Sequence, residues 1–350
     1  MSLRCPRSCD EFASGRDVVH VRLPQRYPVM SPLSPSTSPS SVPLADEADG
    51  AAFLSPMAGE EATAHTPAPI RISELTINWH INEACNFGCS YCYAKWAIDR
   101  SPFRRIWREV IDDLAQLPGR ALDLRPQPVV ADRIRLNFAG GEPFLMKDLE
   151  AAVARAAGAG LAPSFISNGS LITDRFIDET GPMISVAGFS FDSLSSETTA
   201  RIGRAGRRGE QVGLDRLGPI LDRFRAVSPT TILKINTVVC DENADEDLTD
   251  GLLRLAPHRW KMLRVIPGHG GVPISDERFA AFVQRHVRVP GAVVEDNADM
   301  HRSYLMMNPE GRFYQREGSG YVYGGNVLDK GALAALAGVE FDSLAYLGRY

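Results

Sequence analysis

A chain of 350 residues, 44% of them apolar, can bury one large core or two ordinary ones, and a single α/β barrel reaches this size. The net charge of −5 argues against a general nucleic-acid or membrane-surface binder, so an anion site must come from locally clustered basic residues. No apolar run is long enough to span a bilayer, and residues 1–12 carry charges with no apolar stretch behind them, so neither a membrane span nor a secretory signal is read. The expected location is the cytoplasm, where six cysteines point to metal or redox chemistry rather than disulfides.

Residues 1–70 differ from the rest. Ten of the thirteen residues in 31–43 are Ser or Pro, a composition that packs no core and predicts a disordered segment. Cys5 and Cys9 in this segment read as incidental, and Met57 as an alternative start. Further on, strand patterns fall at residues 75–82, 134–138, 163–167, 184–190, 232–239 and 260–265. Helical spacing separates them. Phe103, Trp107, Val110, Leu114 and Leu117 recur every three or four residues before Pro118 and Gly119. The Ala-rich stretch 147–160 follows, then Leu214, Leu217, Leu221 and Phe224, then Leu248, Leu252 and Leu255. Six strand–helix alternations predict parallel βα units with right-handed crossovers. The fold class is therefore α/β, a partial (β/α)6 barrel over residues 71–266, with 267–350 as a C-terminal extension completing the site. Chemistry is expected at the C-terminal ends of the strands.

Directly after the first strand stands Cys85-Asn-Phe-Gly-Cys89-Ser-Tyr-Cys92. Three thiolates on one loop can bind three irons of a cubane 4Fe–4S cluster and leave the fourth open. A structural zinc site would want a fourth ligand, and none is evident: His80 lies within the strand and the next histidine is His258. The next strand ends in Ala139-Gly140-Gly141-Glu142-Pro143, where two glycines permit close backbone approach and Glu142 can pair with an ammonium group.

Side-chain alternation assigns faces. Ile77, Trp79 and Ile81 suit the helix layer, which leaves Asn78, His80 and Asn82 inside the barrel. By the same parity Arg135 and Asn137 share a face, as do Lys234 and Asn236, and Arg259 and Lys261. Four cations from three strands then converge, where burial without an anion is costly. Some could pair with carboxylates or sit at solvated strand ends; as a set they fit a polyanion such as a triphosphate. A closed cup suits nucleic acid poorly.

The cysteine motif followed by GGEP resembles the radical S-adenosylmethionine (SAM) superfamily. In order, Asn78 to Cys92, RLNFAGGEPFL at 135–145, ISNGSLI at 166–172, FSFDS at 189–193, IGR at 202–204, KINT at 234–237, RWK at 259–261 and SYL at 303–305 are similar to the viperin family within it. That resemblance implies a 4Fe–4S cluster on Cys85, Cys89 and Cys92, and SAM bound by Tyr91, Gly140, Gly141, Glu142, Ser167, Asn168, Ser190 and Arg204. It implies a nucleoside triphosphate held by Asn78, Arg135, Lys234, Asn236, Arg259 and Lys261, with Tyr304 facing the ribose, and an external one-electron reductant. The expected reaction is dehydration of CTP, UTP or GTP to the 3′-deoxy-3′,4′-didehydro nucleotide, in antiviral defence. The rivals are another radical SAM activity, against which the single later cysteine Cys240 argues, and a non-enzymatic metal-binding protein. Arg135 and Ala139 stand where the family commonly has Lys and Ser. The membrane helix of the animal members has no counterpart in residues 1–70, and with Tyr350 the last residue a lid over the triphosphate is expected to be short.

Overall fold

The computed structural model describes residues 67–92, 101–267, 271–317 and 320–348. The Ser/Pro-rich stretch, Cys5, Cys9 and Met57, with the disorder expected there, lie outside the described residues.

Eleven strands build one sheet: β1 (Ile70–Asn82), β2 (Ala121–Leu122), β3 (Val129–Gly140), β4 (Ala162–Ser167), β5 (Val186–Ser190), β6 (Ile232–Val239), β7 (Arg259–Arg264), β8 (Ala292–Glu295), β9 (Leu305–Met307), β10 (Arg312–Glu317) and β11 (Gly320–Asn326). Between them run α1 (Ser101–Leu114), α2 (Leu149–Gly158), α3 (Asp174–Thr180), α4 (Ser196–Arg201), α5 (Leu214–Val227), α6 (Thr249–Leu255), α7 (Asp276–His286) and α8 (Asn297–Met300). The expected six strands are β1, β3, β4, β5, β6 and β7, parallel in that order. β5 opens at Val186 rather than at residue 184, because Gly181–Met183 forms a 3-10 turn first.

The extension continues the same sheet at both edges. β8 adds in parallel to β7, and β9 adds in parallel to β1, with β10 and β11 following antiparallel. In sheet order β9 and β8 stand seven strand steps apart, about 34 Å on a flat sheet. Yet the hydroxyl of Tyr304, the residue before β9, donates to Glu295 on β8 at 2.5 Å. The sheet therefore curls until its two sides meet, which makes it a partial barrel with an inner face of its own.

Packing follows the sequence parity. Ile77, Trp79 and Ile81 are fully buried on the outer face, where Trp79 meets Phe103 of α1 edge-on at 5.0 Å. Phe165 contacts Phe144, Phe176, Phe189 and Phe224 with centroids 5.2–6.2 Å apart, binding β4 and β5 to α3 and α5. Burying each such ring stabilises the fold by roughly 2–3 kcal/mol, which frees the inner face to carry polar groups.

Candidate active site

The loop after β1 carries Cys85, Cys89 and Cys92, the first exposed and the others half-buried. It is pinned from three sides. The Gly141 and Glu142 amides donate to the Asn82 and Ala84 carbonyls at 2.9 and 2.8 Å. A Cβ on Gly140, whose φ is +120°, would lie 2.2 Å from the Asn82 oxygen, and one on Gly141 2.0 Å from that of Ala84. The two glycines thus first serve an approach of the chain to its own backbone. Opposite, the Gly88 and Ser90 amides donate to the Gly203 and Ile202 carbonyls at 3.1 and 2.8 Å. Asn168 closes the third side, donating its amide to Asn86 Oδ1 at 2.9 Å.

Glu142 is wholly buried. Its carboxylate accepts from the Phe144 amide at 3.1 Å, the Ser167 hydroxyl at 2.8 Å and the Asn168 amide at 2.8 Å. Burial raises its pKa and these donors pull it back. The expected salt link to an ammonium therefore meets a carboxylate already engaged in holding the end of β4 against the cysteine loop. Tyr91 donates its hydroxyl to Asp192, whose Oδ2 also lies 3.2 Å from Arg204 and whose Oδ1 accepts from the Val238 amide at 2.7 Å. Arg204 donates to the Ser190 carbonyl at 2.6 Å. Burial disfavours its charge, but Asp192, Tyr91 and Cys89 together outweigh that and hold the guanidinium protonated. Burial likewise raises Cys85, and Cys89 to about 11, with Arg204 opposing it at Cys89.

Deeper in the barrel, the Asn137 amide donates to Asn78 Oδ1 at 2.9 Å, Asn78 donates to the Leu305 carbonyl at 3.3 Å, and Ser164 donates to Asn137 Oδ1 at 2.9 Å. This chain of amides crosses the inner face from β9 to β4. Arg135 and Lys261, two of the expected cations, meet carboxylates, as the alternative reading of the sequence allowed. Arg135 Nε lies 2.8 Å from Glu74 Oε1, and its guanidinium donates to Thr76 Oγ1 at 2.7 Å. Lys261 pairs with Glu295. Lys234 makes no hydrogen bond or ion pair among the described residues. Its pKa falls well below the usual value, first through burial, then through Lys261, Arg135 and Arg259, with Glu295 opposing them. The other three cations thus act on Lys234 across the barrel. Beside them, Asn236 Oδ1 is buried without a hydrogen-bond partner among the described residues. Gly188 on β5 leaves the room, since a Cβ there would stand 3.2 Å from Lys234 Cε.

Residues 79–282 match the family model of the radical SAM superfamily. The chain is 34% identical over 300 residues to an S-adenosylmethionine-dependent nucleotide dehydratase of Psychrobacter lutiphocae, covering 82% of this chain and 98% of the relative. It is 36% identical over 291 residues to the protein of the same name from Pseudoalteromonas ulvae, covering 80% and 94%. This chain belongs to the S-adenosylmethionine-dependent nucleotide dehydratase family of radical SAM enzymes. A relative from Oncorhynchus mykiss bearing that family name is 28% identical over 291 residues, covering 78% of each chain. Among solved structures, the dehydratase-family chain shares its fold with Streptococcus suis SuiB bound to S-adenosylmethionine (TM-score 0.54, 14% identity, 79% and 67% covered). It shares it equally with anSMEcpe with bound AdoMet and a peptide (TM-score 0.55, 14%, 79% and 84%).

Family membership implies SAM and an iron–sulfur cluster, and the residues of this radical SAM enzyme fit both. Three thiols stand on one pinned loop, a ligand set that suits the irons of a cluster. The loop carries Tyr91, which bonds to Asp192 beside Arg204, and is hydrogen-bonded by Asn168; Ser167 bonds to Glu142 and Ser190 to Arg204. Sequence reasoning missed Asp192, Glu295 and Glu74, the carboxylates that hold the named site residues. Asp192 stands inside the FSFDS segment, two residues beyond Ser190, and strand parity could have found it. Glu295 ends a four-residue strand, and no local pattern marks it.

Proposed function

We propose that this enzyme converts a nucleoside triphosphate (CTP, UTP or GTP) to its 3′-deoxy-3′,4′-didehydro analogue, in the cytoplasm and in antiviral defence. The observation that carries the reading is Lys234, which makes no hydrogen bond or ion pair among the described residues and is set among Arg135, Arg259 and Lys261 on the inner face. A half-buried cation of lowered pKa becomes favourable when a polyanion occupies the cup. The names of the relatives at 34% and 36% identity support the same substrate class.

Cys85, Cys89 and Cys92 would hold a 4Fe–4S cluster, and Tyr91, Gly140, Gly141, Glu142, Ser167, Asn168, Ser190 and Arg204 would surround SAM. When bound, these groups supply hydrogen-atom abstraction at the ribose 4′ carbon. The remainder falls to the barrel. Lys234, Arg259, Lys261 and Arg135 neutralise the triphosphate, with Asn236 and Asn78 as hydrogen-bonding partners, and so fix the ribose relative to the cysteine loop. Tyr304 faces the ribose. Loss of the 3′ hydroxyl as water consumes one proton, and an external reductant returns the electron that completes the double bond. Residues 267–350 complete the site by bringing Glu295 and Tyr304 to it. Among the described residues no helix is long and apolar enough to cross a membrane.

The test is release of 5′-deoxyadenosine by the anaerobically reconstituted enzyme with reductant, SAM and each triphosphate in turn. Stimulation by one or more of them, with a product lighter by one water, supports the reading and names the base. SAM cleavage indifferent to every nucleotide refutes it.

A further inference from the structure

Glu295 joins two of the residues named above for the substrate. It is fully buried (0% exposed) at the C-terminal end of β8. One oxygen meets the Lys261 ammonium, and the other accepts the Tyr304 hydroxyl at 2.5 Å. We propose that Glu295 is a positioning residue of the dehydration: it holds Lys261 and Tyr304 in one fixed arrangement toward the nucleotide. The proposal rests on the nucleotide dehydratase reading given above.

Three features support it. A wholly buried carboxylate is tolerated only when its charge and lone pairs are used, and here both oxygens are. The partners come from separate elements, Lys261 from β7 and Tyr304 from the turn before β9, so neither backbone alone sets their mutual distance. Finally, charge is apportioned: Glu295 pairs directly with Lys261 and acts on Lys234 only at a distance, without a hydrogen bond or ion pair between them. The Tyr304 hydrogen points at Glu295, which orients the phenol oxygen. Glu295 acts through both groups and need not touch substrate.

A merely structural Glu295 would fasten the two sides of the barrel, and its loss would lower stability alone. The variants Glu295→Gln, Tyr304→Phe and the double variant separate the two roles. Cluster absorbance, SAM affinity, the triphosphate KM and the ratio of dehydrated product to 5′-deoxyadenosine are measured for each. Glu295→Gln is expected to keep cluster and SAM affinity, to raise the triphosphate KM about tenfold, and to lower the product ratio several-fold. The double variant is expected to match Tyr304→Phe in that ratio, because two residues acting through one contact are not additive. Unchanged KM and ratio in Glu295→Gln, or losses that multiply in the double variant, overturn the proposal. Should Glu295→Gln not fold, Glu295→Asp decides: too short to reach both partners, it must raise KM or lower the ratio in folded protein that keeps its cluster absorbance and SAM affinity, and normal kinetics overturn the proposal. Wild-type enzyme that makes no dehydrated nucleotide refutes the dehydratase reading itself, a result distinct from any of these.

Discussion

Lowering the pH loads a proton onto His80 in the unfolded chain long before the native protein accepts one. His80 is buried on β1, its Nδ1 within 2.5 Å of the Tyr314 hydroxyl, and burial brings its pKa down to about 4. The unfolded imidazole titrates near 6.5. Between these values the unfolded state binds more protons, so stability is whole above the unfolded pKa and drains away as pH falls towards 4. The full linkage is about 3.4 kcal/mol, of which about 2 kcal/mol is gone by about pH 5. His80→Asn keeps an acceptor for Tyr314 and cannot titrate. Urea unfolding of both proteins at about pH 8 and about pH 5 isolates the effect, because all other carboxylates and histidines are common to both. With a slope of roughly 3 kcal/mol per molar urea, the wild-type midpoint should fall by about 0.7 M more than that of the variant. Equal falls would refute the reasoning and mean that the native site accommodates imidazolium.

Three further outcomes are expected. Triphosphate binding should take up protons, because an anion in the cup raises the lowered pKa of Lys234; calorimetry in buffers of different ionisation enthalpy reads the uptake, and affinity should strengthen as pH falls. Lys234→Met should lose that component, and equal uptake in the variant would exclude Lys234 as its source. Asp192→Asn should cost about 3–5 kcal/mol, since it strands the buried Arg204 guanidinium; scanning calorimetry should show a melting temperature lower by at least about 6 °C, and an unchanged one would deny the pair its role. Gly141→Ala drives a Cβ into the Ala84 carbonyl; it should shift the cysteine loop and lower the iron bound per chain on reconstitution, and full loading would show that the loop can yield.

The sequence by itself determined the repeated βα units, the outer apolar face of β1 and the positions of the three cysteines and of Lys234. Period-two and helical spacing, and ligands close together on one loop, are local properties of the chain. Inner-face polarity was legible for the same reason, since parity along a strand needs no partner. β8 and β9 were not legible, because strands of four and three residues carry too few alternations to stand out. Nor were the partners of the cations. Whether Arg135 meets Glu74, or Lys261 meets Glu295, depends on how far the sheet curls and which side chains closure brings together. Only the tertiary structure decided that Glu142 and Gly140–Gly141 first serve to lock the cysteine loop, and that Asp192 holds both Tyr91 and Arg204. Burial makes such contacts strong, and burial is a property of the closed barrel rather than of any segment in it.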